Sequence, residues 1–214
     1  MTLTLDADFD EPELIARSAR GDLDAFNAIV ERYQRALYNL CLRMLGSPEA
    51  AEDATQDAFI AAFRAIHRFR GGAETGGRPA GFRAWLFRIA VNACYDELRR
   101  RRARPLVSLD VPRGESGRTF DVQNHGPTLE ERAQTSELGS AIQEGLSKLP
   151  SDQRLVIVLC DVQGLDYAEI AQVMGMSLGT VKSRINRARS RLRTFLRSQG
   201  ELLPSRFRQT SGDR

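Results

Sequence analysis

A strongly basic stretch lies near the end of this 214-residue chain. The segment GMSLGTVKSRINRARSRLRTFL, residues 175–196, carries six Lys or Arg side chains and no Asp or Glu. Arginine can donate two parallel hydrogen bonds to a guanine edge, and short polar side chains can bind phosphates. A helix surface that is only solvated usually mixes both charges, with Glu–Lys pairs at four-residue spacing. The composition therefore favours a nucleic-acid surface over a solvated face.

At about 100° per residue, a helix over this stretch has two distinct sides. The side expected to pack inward consists of Val181, Ile185, Ala188, Leu192 and Phe195. The opposite side carries Lys182, Ser183, Asn186, Arg187, Ser190 and Arg193, and the seam is flanked by Arg184, Arg189 and Arg191. The candidate base-reading residues lie nearest the helix start and are Thr180, Lys182, Ser183, Arg184 and Arg187. Those further along are expected to bind phosphate.

The residues before this helix predict a helix-turn-helix. Asp166 and Glu169 form an acidic variant of the capping box, which opens a short helix. Gly175 can supply the left-handed residue of the turn, and Ser177 can cap the basic helix. A short helix, a glycine turn and a longer basic helix form the arrangement in which the second helix enters the major groove of DNA.

Helical periodicity extends over most of the chain and predicts an all-α fold. Residues 104–127 interrupt it with three prolines and three glycines and no sustained apolar period, which is typical of a flexible linker. Fully extended, this linker reaches roughly 80 Å, more than two turns of duplex DNA. We therefore predict a tail at 1–9, a helical domain at 10–103, the linker at 104–127, a helix-turn-helix domain at 128–197 and a tail at 198–214.

The formal net charge of +3 is unevenly distributed. Residues 1–60 contain twelve Asp or Glu and five Lys or Arg, whereas residues 170–200 contain seven Lys or Arg and no acid. Such polarity indicates two ends with different partners, of which the basic end suits nucleic acid. An acidic N-terminus and the absence of an apolar run of about 18 residues predict a cytoplasmic protein without signal peptide or membrane span.

Three cysteines, Cys41, Cys94 and Cys160, lie far apart in apolar helical contexts. Because no C-x-x-C pair is present and only two histidines are available, we expect buried reduced thiols and not a zinc site. The sequence contains no P-loop, metal-ligand cluster or nucleophile–base pair that would indicate an enzyme, and we expect no cofactor.

Three segments in this order resemble bacterial sigma factors of the extracytoplasmic-function type. They are AEDATQDAFIAAFRAIHRFRG, FRAWLFRIAVNACYDELRRRR and LPSDQRLVIVLCDVQGLDYAEIAQVMGMSLGTVKSRINRARSRLR. A helix-turn-helix alone is a weak indicator of this family, whereas all three segments in this order, divided by a linker, are highly specific for it. The resemblance covers about residues 20–100 and 140–197. It implies a two-domain, all-helical specificity subunit of RNA polymerase whose partners are core polymerase, promoter DNA and an anti-sigma factor.

The resemblance also implies roles for particular residues. The residues that match the family's polymerase contact are Asp53, Gln56 and Asp57. Those that match its −10-facing segment are Arg88, Asn92, Tyr95, Asp96 and Arg99. The five base-reading candidates lie in the domain with which the family reads the −35 element. The glycine-rich loop at 70–81 lies where the family holds a flipped −10 base, and its length prevents assignment of the pocket residues.

Blander interpretations stay open for these sites. The acids near Asp53 can reflect the preference of helix N-termini for negative charge, Arg99 can belong to a solvated helix end, and the spacing of Trp85 favours a core position. Two other functions also remain open. The chain can be a stand-alone helix-turn-helix regulator that binds its operator without polymerase, or an enzyme that acts on nucleic acid.

Overall fold

The computed structural model describes residues 10–69, 81–103 and 129–198, and every regular element within these ranges is helical. The N-terminal unit consists of α1 (Glu11–Ala19), α2 (Leu23–Leu45), α3 (Pro48–Ala65), a 3-10 turn (Ile66–Arg68) and α4 (Phe82–Ala103). The C-terminal unit consists of α5 (Leu129–Ser147), α6 (Ser151–Ile157), a π-helical turn (Val158–Val162), α7 (Tyr167–Met174) and α8 (Leu178–Ser198). The predicted all-α fold is confirmed.

Some predicted segments lie outside the described residues. These are the tail at 1–9, the loop at 70–81 except its last residue, the linker at 104–127 and the tail at 198–214 except its first residue. The domain boundaries therefore stay predictions.

Local sequence signals set the ends of α2 and α3. Asp22 caps α2 by accepting a hydrogen bond from the backbone N–H of Ala25 at 3.1 Å. Gly46 ends α2 with φ of 72°, a left-handed conformation that costs glycine little. Ser47 then caps α3, whose first residue is Pro48. The predicted helix break at Gly46 and Ser47 is confirmed.

The core of the N-terminal unit forms around α2. Its side chains Ile29, Leu37 and Leu40 have no exposed area and pack with the buried faces of α3 and α4. The apolar residues of the C-terminal unit join the same cluster, because α5 and α6 contact α2 while α7 contacts α4. The two units therefore lie against each other.

The three cysteines are free thiols. Cys41 and Cys94 are fully buried, with their Sγ atoms 3.5 Å apart, whereas Cys160 is only partly buried. The hydrogen bond with Cys41 and burial raise the pKa of Cys94, which keeps this thiol protonated. Buried reduced thiols are thus found at two of the three positions.

Within the described residues, no helix has both the length and the apolar character needed to cross a bilayer. The same residues contain no group of three or more His, Cys, Asp or Glu side chains placed to hold a metal ion.

Close packing of α5 on α8 generates a stability prediction. A Cβ added at Gly145 would lie 2.7 Å from Leu192 Cδ1 and 2.8 Å from Phe195 Cδ1, whereas one added at Gly139 would meet nothing within 4 Å. Inside a helix, Gly→Ala ordinarily stabilises by up to about 1 kcal/mol. We expect Gly139→Ala to raise the free energy of unfolding by about that amount, and Gly145→Ala to lower it by about 1 kcal/mol through overpacking.

Urea denaturation followed by circular dichroism measures both variants against the unmodified chain. Equal stabilisation by the two substitutions would contradict the close approach of α5 and α8.

Candidate nucleic-acid interface

The helix-turn-helix is closed by local hydrogen bonds. Asp166 Oδ1 accepts from the backbone N–H groups of Ala168 at 2.7 Å and Glu169 at 2.8 Å, and Glu169 Oε2 accepts from the N–H of Asp166 at 2.8 Å. Gly175 ends α7 in the left-handed conformation, with φ of 64°. Ser177 Oγ then accepts from the N–H of Thr180 at the start of α8. The predicted capping box, glycine turn and serine cap are all confirmed.

The two predicted sides of α8 are also confirmed. Val181, Ile185 and Ala188 have no exposed area, and Leu192 and Phe195 are partly buried. The side chains exposed on the opposite side are Lys182, Ser183, Asn186, Arg187, Ser190 and Arg193. This exposed side contains no carboxylate, so it presents positive charge and hydrogen-bond donors together.

The three arginines at the seam of α8 have partners within the C-terminal unit. Arg184 Nη1 lies 3.0 Å from Asp152 Oδ2, and Arg191 Nη1 donates to Gln153 Oε1 at 2.9 Å. Arg189 makes two hydrogen bonds to the carboxylate of Asp161, which raise the pKa of this guanidinium. Polar groups of α6 and the π turn thus orient the arginines that flank the exposed side.

The sequence pattern does not predict these partners, because residues 150–165 are mainly apolar. The available signal was the presence of Asp152, Gln153 and Asp161 within that apolar segment, where polar residues need partners.

The structure brings the five base-reading candidates together on the first turns of α8. Lys182, Ser183 and Arg187 are exposed, while Thr180 and Arg184 are partly buried. The guanidinium of Arg187 lies along the helix and donates to the carbonyl oxygen and the hydroxyl of Ser183, both at 3.3 Å. Arg187 is therefore free to exchange weak local contacts for a ligand, whereas Arg184 must share its charge with Asp152.

The five −10 candidates lie along one side of α4, and four of them are exposed. Arg88, Asn92, Asp96 and Arg99 are exposed, and Arg99 pairs with Asp96. Tyr95 is half-buried, and burial followed by the nearby charge of Asp152 raises its pKa. The phenol therefore stays neutral at ordinary pH.

Trp85 is partly exposed and packs in an aromatic cluster at the start of α4. Its ring centroid lies 5.2 Å from that of Phe69 and 5.3 Å from that of Phe82. These contacts agree with the core position expected from its spacing.

An acidic surface on α3 contains all three polymerase candidates. Asp53, Gln56 and Asp57 are exposed, and Asp57 Oδ2 lies 3.7 Å from Arg100 Nη2 of α4. Ile60 continues the same side of α3 and is 50% exposed, which is unusual for a large apolar side chain. Ile60 is not among the candidates predicted from the sequence, although its three- and four-residue spacing from Asp57 and Gln56 places it on the same side of the helix. The surface thus combines exposed acidic side chains with the exposed apolar side chain of Ile60.

Comparison with known families identifies both helical units. Residues 29–104 match the family model for sigma-70 region 2, and residues 140–192 match that for sigma-70 region 4. The chain is 38% identical over 186 residues to the ECF RNA polymerase sigma factor SigM of Mycobacterium tuberculosis, which covers 87% of this chain and 84% of SigM.

Two solved structures share the fold. CnrH in complex with the cytosolic domain of CnrY aligns with a TM-score of 0.60 and 30% identity, over 87% of this chain and 96% of CnrH. The sigma factor RpoE of Bartonella quintana, solved with the anti-sigma factor NepR, aligns with a TM-score of 0.56 and 26% identity, over 80% of this chain and 96% of RpoE. With both sigma regions matched in order and the similarity to SigM extending over most of both proteins, the chain belongs to the extracytoplasmic-function sigma factor family.

Proposed function

We propose that this chain binds core RNA polymerase and directs it to specific promoters. The observation that carries the proposal is the acid-free exposed side of α8, placed on a helix-turn-helix inside the region 4 match and joined to a region 2 match in one chain. A stand-alone regulator would account for the helix-turn-helix but not for the region 2 unit with its acidic α3 surface.

In this proposal the C-terminal unit reads the −35 element as duplex DNA. The N-terminal residues of α8 enter the major groove, where Arg187 is the best placed to fork onto a guanine. Lys182 and Ser183 are exposed beside it, and Thr180 lies at the helix start. Arg184 contributes from the seam, oriented by its ion pair with Asp152.

The N-terminal unit holds the melted −10 strand along α4. Arg88 and Arg99 follow the phosphates, Asn92 and Asp96 offer polar contacts to base edges, and Tyr95 offers a ring for stacking. Opening of the duplex is driven by binding of the unpaired strand. The chain then acts without a catalytic step of its own.

The acidic surface of α3 docks on the polymerase. Exposed Asp53, Gln56 and Asp57 suit a partly basic partner surface, and Ile60 supplies the apolar contact that protein interfaces bury at their centre. We also propose that the chain acts in the cytoplasm. It binds an anti-sigma partner there, as RpoE binds NepR in their solved complex.

Arg187 and Arg193 form a matched pair for testing DNA reading, because both are exposed arginines of α8. We expect Arg187→Ala to weaken the binding free energy for the preferred −35 duplex by about 1–3 kcal/mol and to relax specificity at one base pair. Arg193→Ala is expected to lower the affinity for all duplex sequences alike, as loss of a phosphate contact does. It should also reduce the slope of log affinity against log salt concentration by about 1.

Fluorescence anisotropy with a set of single-base-pair duplex variants at several salt concentrations separates these effects. A loss at Arg187→Ala that is uniform across sequences would reduce Arg187 to a phosphate contact.

The docking surface is tested by charge reversal at Asp57. We expect Asp57→Arg to lower the affinity for core polymerase at least about tenfold, because the new positive charge would be repelled by a partly basic partner surface. The variant should therefore co-elute less with core polymerase in gel filtration. Its binding to −35 duplex should stay unchanged. Glu31→Arg, a reversal at an exposed acid of α2, serves as the control and should co-elute normally.

Loss of both polymerase and duplex binding in Asp57→Arg would indicate misfolding, which the thermal unfolding midpoint reports directly. Failure of the unmodified chain to co-elute with polymerase while it binds duplex would favour the stand-alone regulator.

A further inference from the structure

Two buried thiols meet where α2 packs against α4. Cys94 of α4 donates a hydrogen bond to Cys41 of α2, with the two Sγ atoms 3.5 Å apart. Neither side chain has any exposed area, and both cysteines are free thiols. They lie 53 positions apart in the chain, so only the fold brings them together. Neither promoter reading nor polymerase docking, as proposed above, uses this pair.

The geometry of the pair suits a disulfide bond. A disulfide needs a distance of about 2.0 Å between its sulfur atoms and side chains that point toward each other. Because the sulfur atoms of Cys41 and Cys94 are already in contact, the side chains converge, and the sulfur atoms must approach by only about 1.5 Å. Rotation of the two side chains about χ1 can move the sulfur atoms without moving the helix backbones.

The two thiols differ in how readily they lose a proton. The hydrogen bond that Cys41 accepts from Cys94 stabilises the thiolate of Cys41 and lowers its pKa. The same hydrogen bond and burial raise the pKa of Cys94. Because the thiolate is the nucleophilic form of cysteine, Cys41 is suited to attack an oxidant first. Cys94 then keeps its proton until the second step of a reaction.

Burial determines which reagents reach the pair. Hydrogen peroxide is small and uncharged, so brief local openings of the helix packing admit it, whereas a maleimide is larger and needs an exposed sulfur. Cys160 provides an internal comparison, because it is only partly buried and its Sγ accepts a hydrogen bond from Arg189 Nη2 at 3.5 Å. Burial and the charge of Asp161 raise the pKa of Cys160, which lowers the fraction of reactive thiolate. The more accessible thiol is therefore not the one best suited to react with peroxide.

We propose that Cys41 and Cys94 form a peroxide-responsive disulfide that joins α2 to α4. The Cys41 thiolate attacks one oxygen of hydrogen peroxide, so that an S–O bond forms, the O–O bond breaks and hydroxide leaves. The sulfur of Cys94 then attacks the sulfenic acid, an S–S bond replaces the S–O bond, and the proton of Cys94 leaves with the hydroxyl group as water. The two thiols together lose two electrons, which reduce the peroxide to water. A thiol reductant reverses the reaction.

The cross-link has a consequence for the stability of the N-terminal unit. It closes a long loop of chain, which restricts the unfolded state and thereby favours the folded one. The bond lies on the buried sides of α2 and α4, whereas Arg88, Asn92 and Arg99 of α4 are exposed. Oxidation therefore stabilises the packing of α2 on α4 and leaves the exposed side chains of α4 accessible.

Peroxide treatment of the full-length chain tests the proposal. The treated chain is unfolded in guanidinium with excess maleimide, digested and mapped by mass spectrometry. We expect Cys41 and Cys94 to lose their reactivity toward maleimide together and to appear in one linked peptide pair, which dithiothreitol separates. The thermal unfolding midpoint, followed by circular dichroism, should rise on oxidation and return to its first value after reduction.

Two variants provide the controls. Cys160→Ser should form the same linked peptides, because the pair does not involve this residue. Cys94→Ala should form none, and dimedone should trap the sulfenic acid that persists on Cys41. The linkage in the unmodified chain is read directly by mass, so the result does not depend on how well Cys94→Ala folds.

Three outcomes would overturn the proposal. In the first, peroxide oxidises Cys160 while Cys41 and Cys94 stay reactive toward maleimide after unfolding. In the second, the linked peptides join Cys160 to another cysteine or join two copies of the chain. In the third, the bond between Cys41 and Cys94 forms but lowers the unfolding midpoint, which would show that it forms only when the packing of α2 on α4 is disrupted.

Discussion

The end of α2 is the constraint on which the arrangement of the described helices depends. The N–H of Gly46 donates to the carbonyl oxygen of Leu42 at 2.8 Å, and the later carbonyl groups of α2 have no helical partner, so water or other elements must satisfy them. Arg101 of α4 donates to the carbonyl oxygen of Leu45, while Gln143 and Arg154 bind the carbonyl groups before it. One helix terminus thereby joins α4, α5 and α6. Arg154 also donates to carbonyl groups at the end of α5, so the same guanidinium organises the C-terminal unit itself.

This junction determines which charged surfaces remain available. The side chains of Asp53, Gln56 and Asp57 on α3 stay exposed when the two units are in contact. The exposed side of α8 keeps its positive charge, because the ion pairs seen in the described residues join Asp152 of α6 and Asp161 of the π turn to the seam arginines Arg184 and Arg189. Tyr95, by contrast, is half-buried, with Ser151 and Asp152 of the C-terminal unit among its polar neighbours.

Features that depend on a few neighbouring residues were predictable from the sequence. The capping box at Asp166, the left-handed turn at Gly175 and the buried side of α8 all follow from interactions within four residues of chain, where period and residue type carry the information. The pairing of Arg184 with Asp152 and the binding of Gln143 to α2 join residues about 30 and 100 positions apart, and a single sequence shows at most that such a polar residue needs a partner, not which residue that partner is. Tyr95 illustrates the difference, since its helical phase places it with Arg88 and Asn92, but only the folded structure shows that it is half-buried.

The central claim is that two helical units of one chain direct RNA polymerase to start sites, and mapping transcript 5′ ends tests it most directly. Purified core polymerase transcribes fragmented genomic DNA with and without the full-length chain, and the 5′ ends are sequenced. We expect discrete start sites that appear only with the chain and share a duplex element upstream of a common −10 sequence. An identical set of transcripts with and without the chain would contradict it.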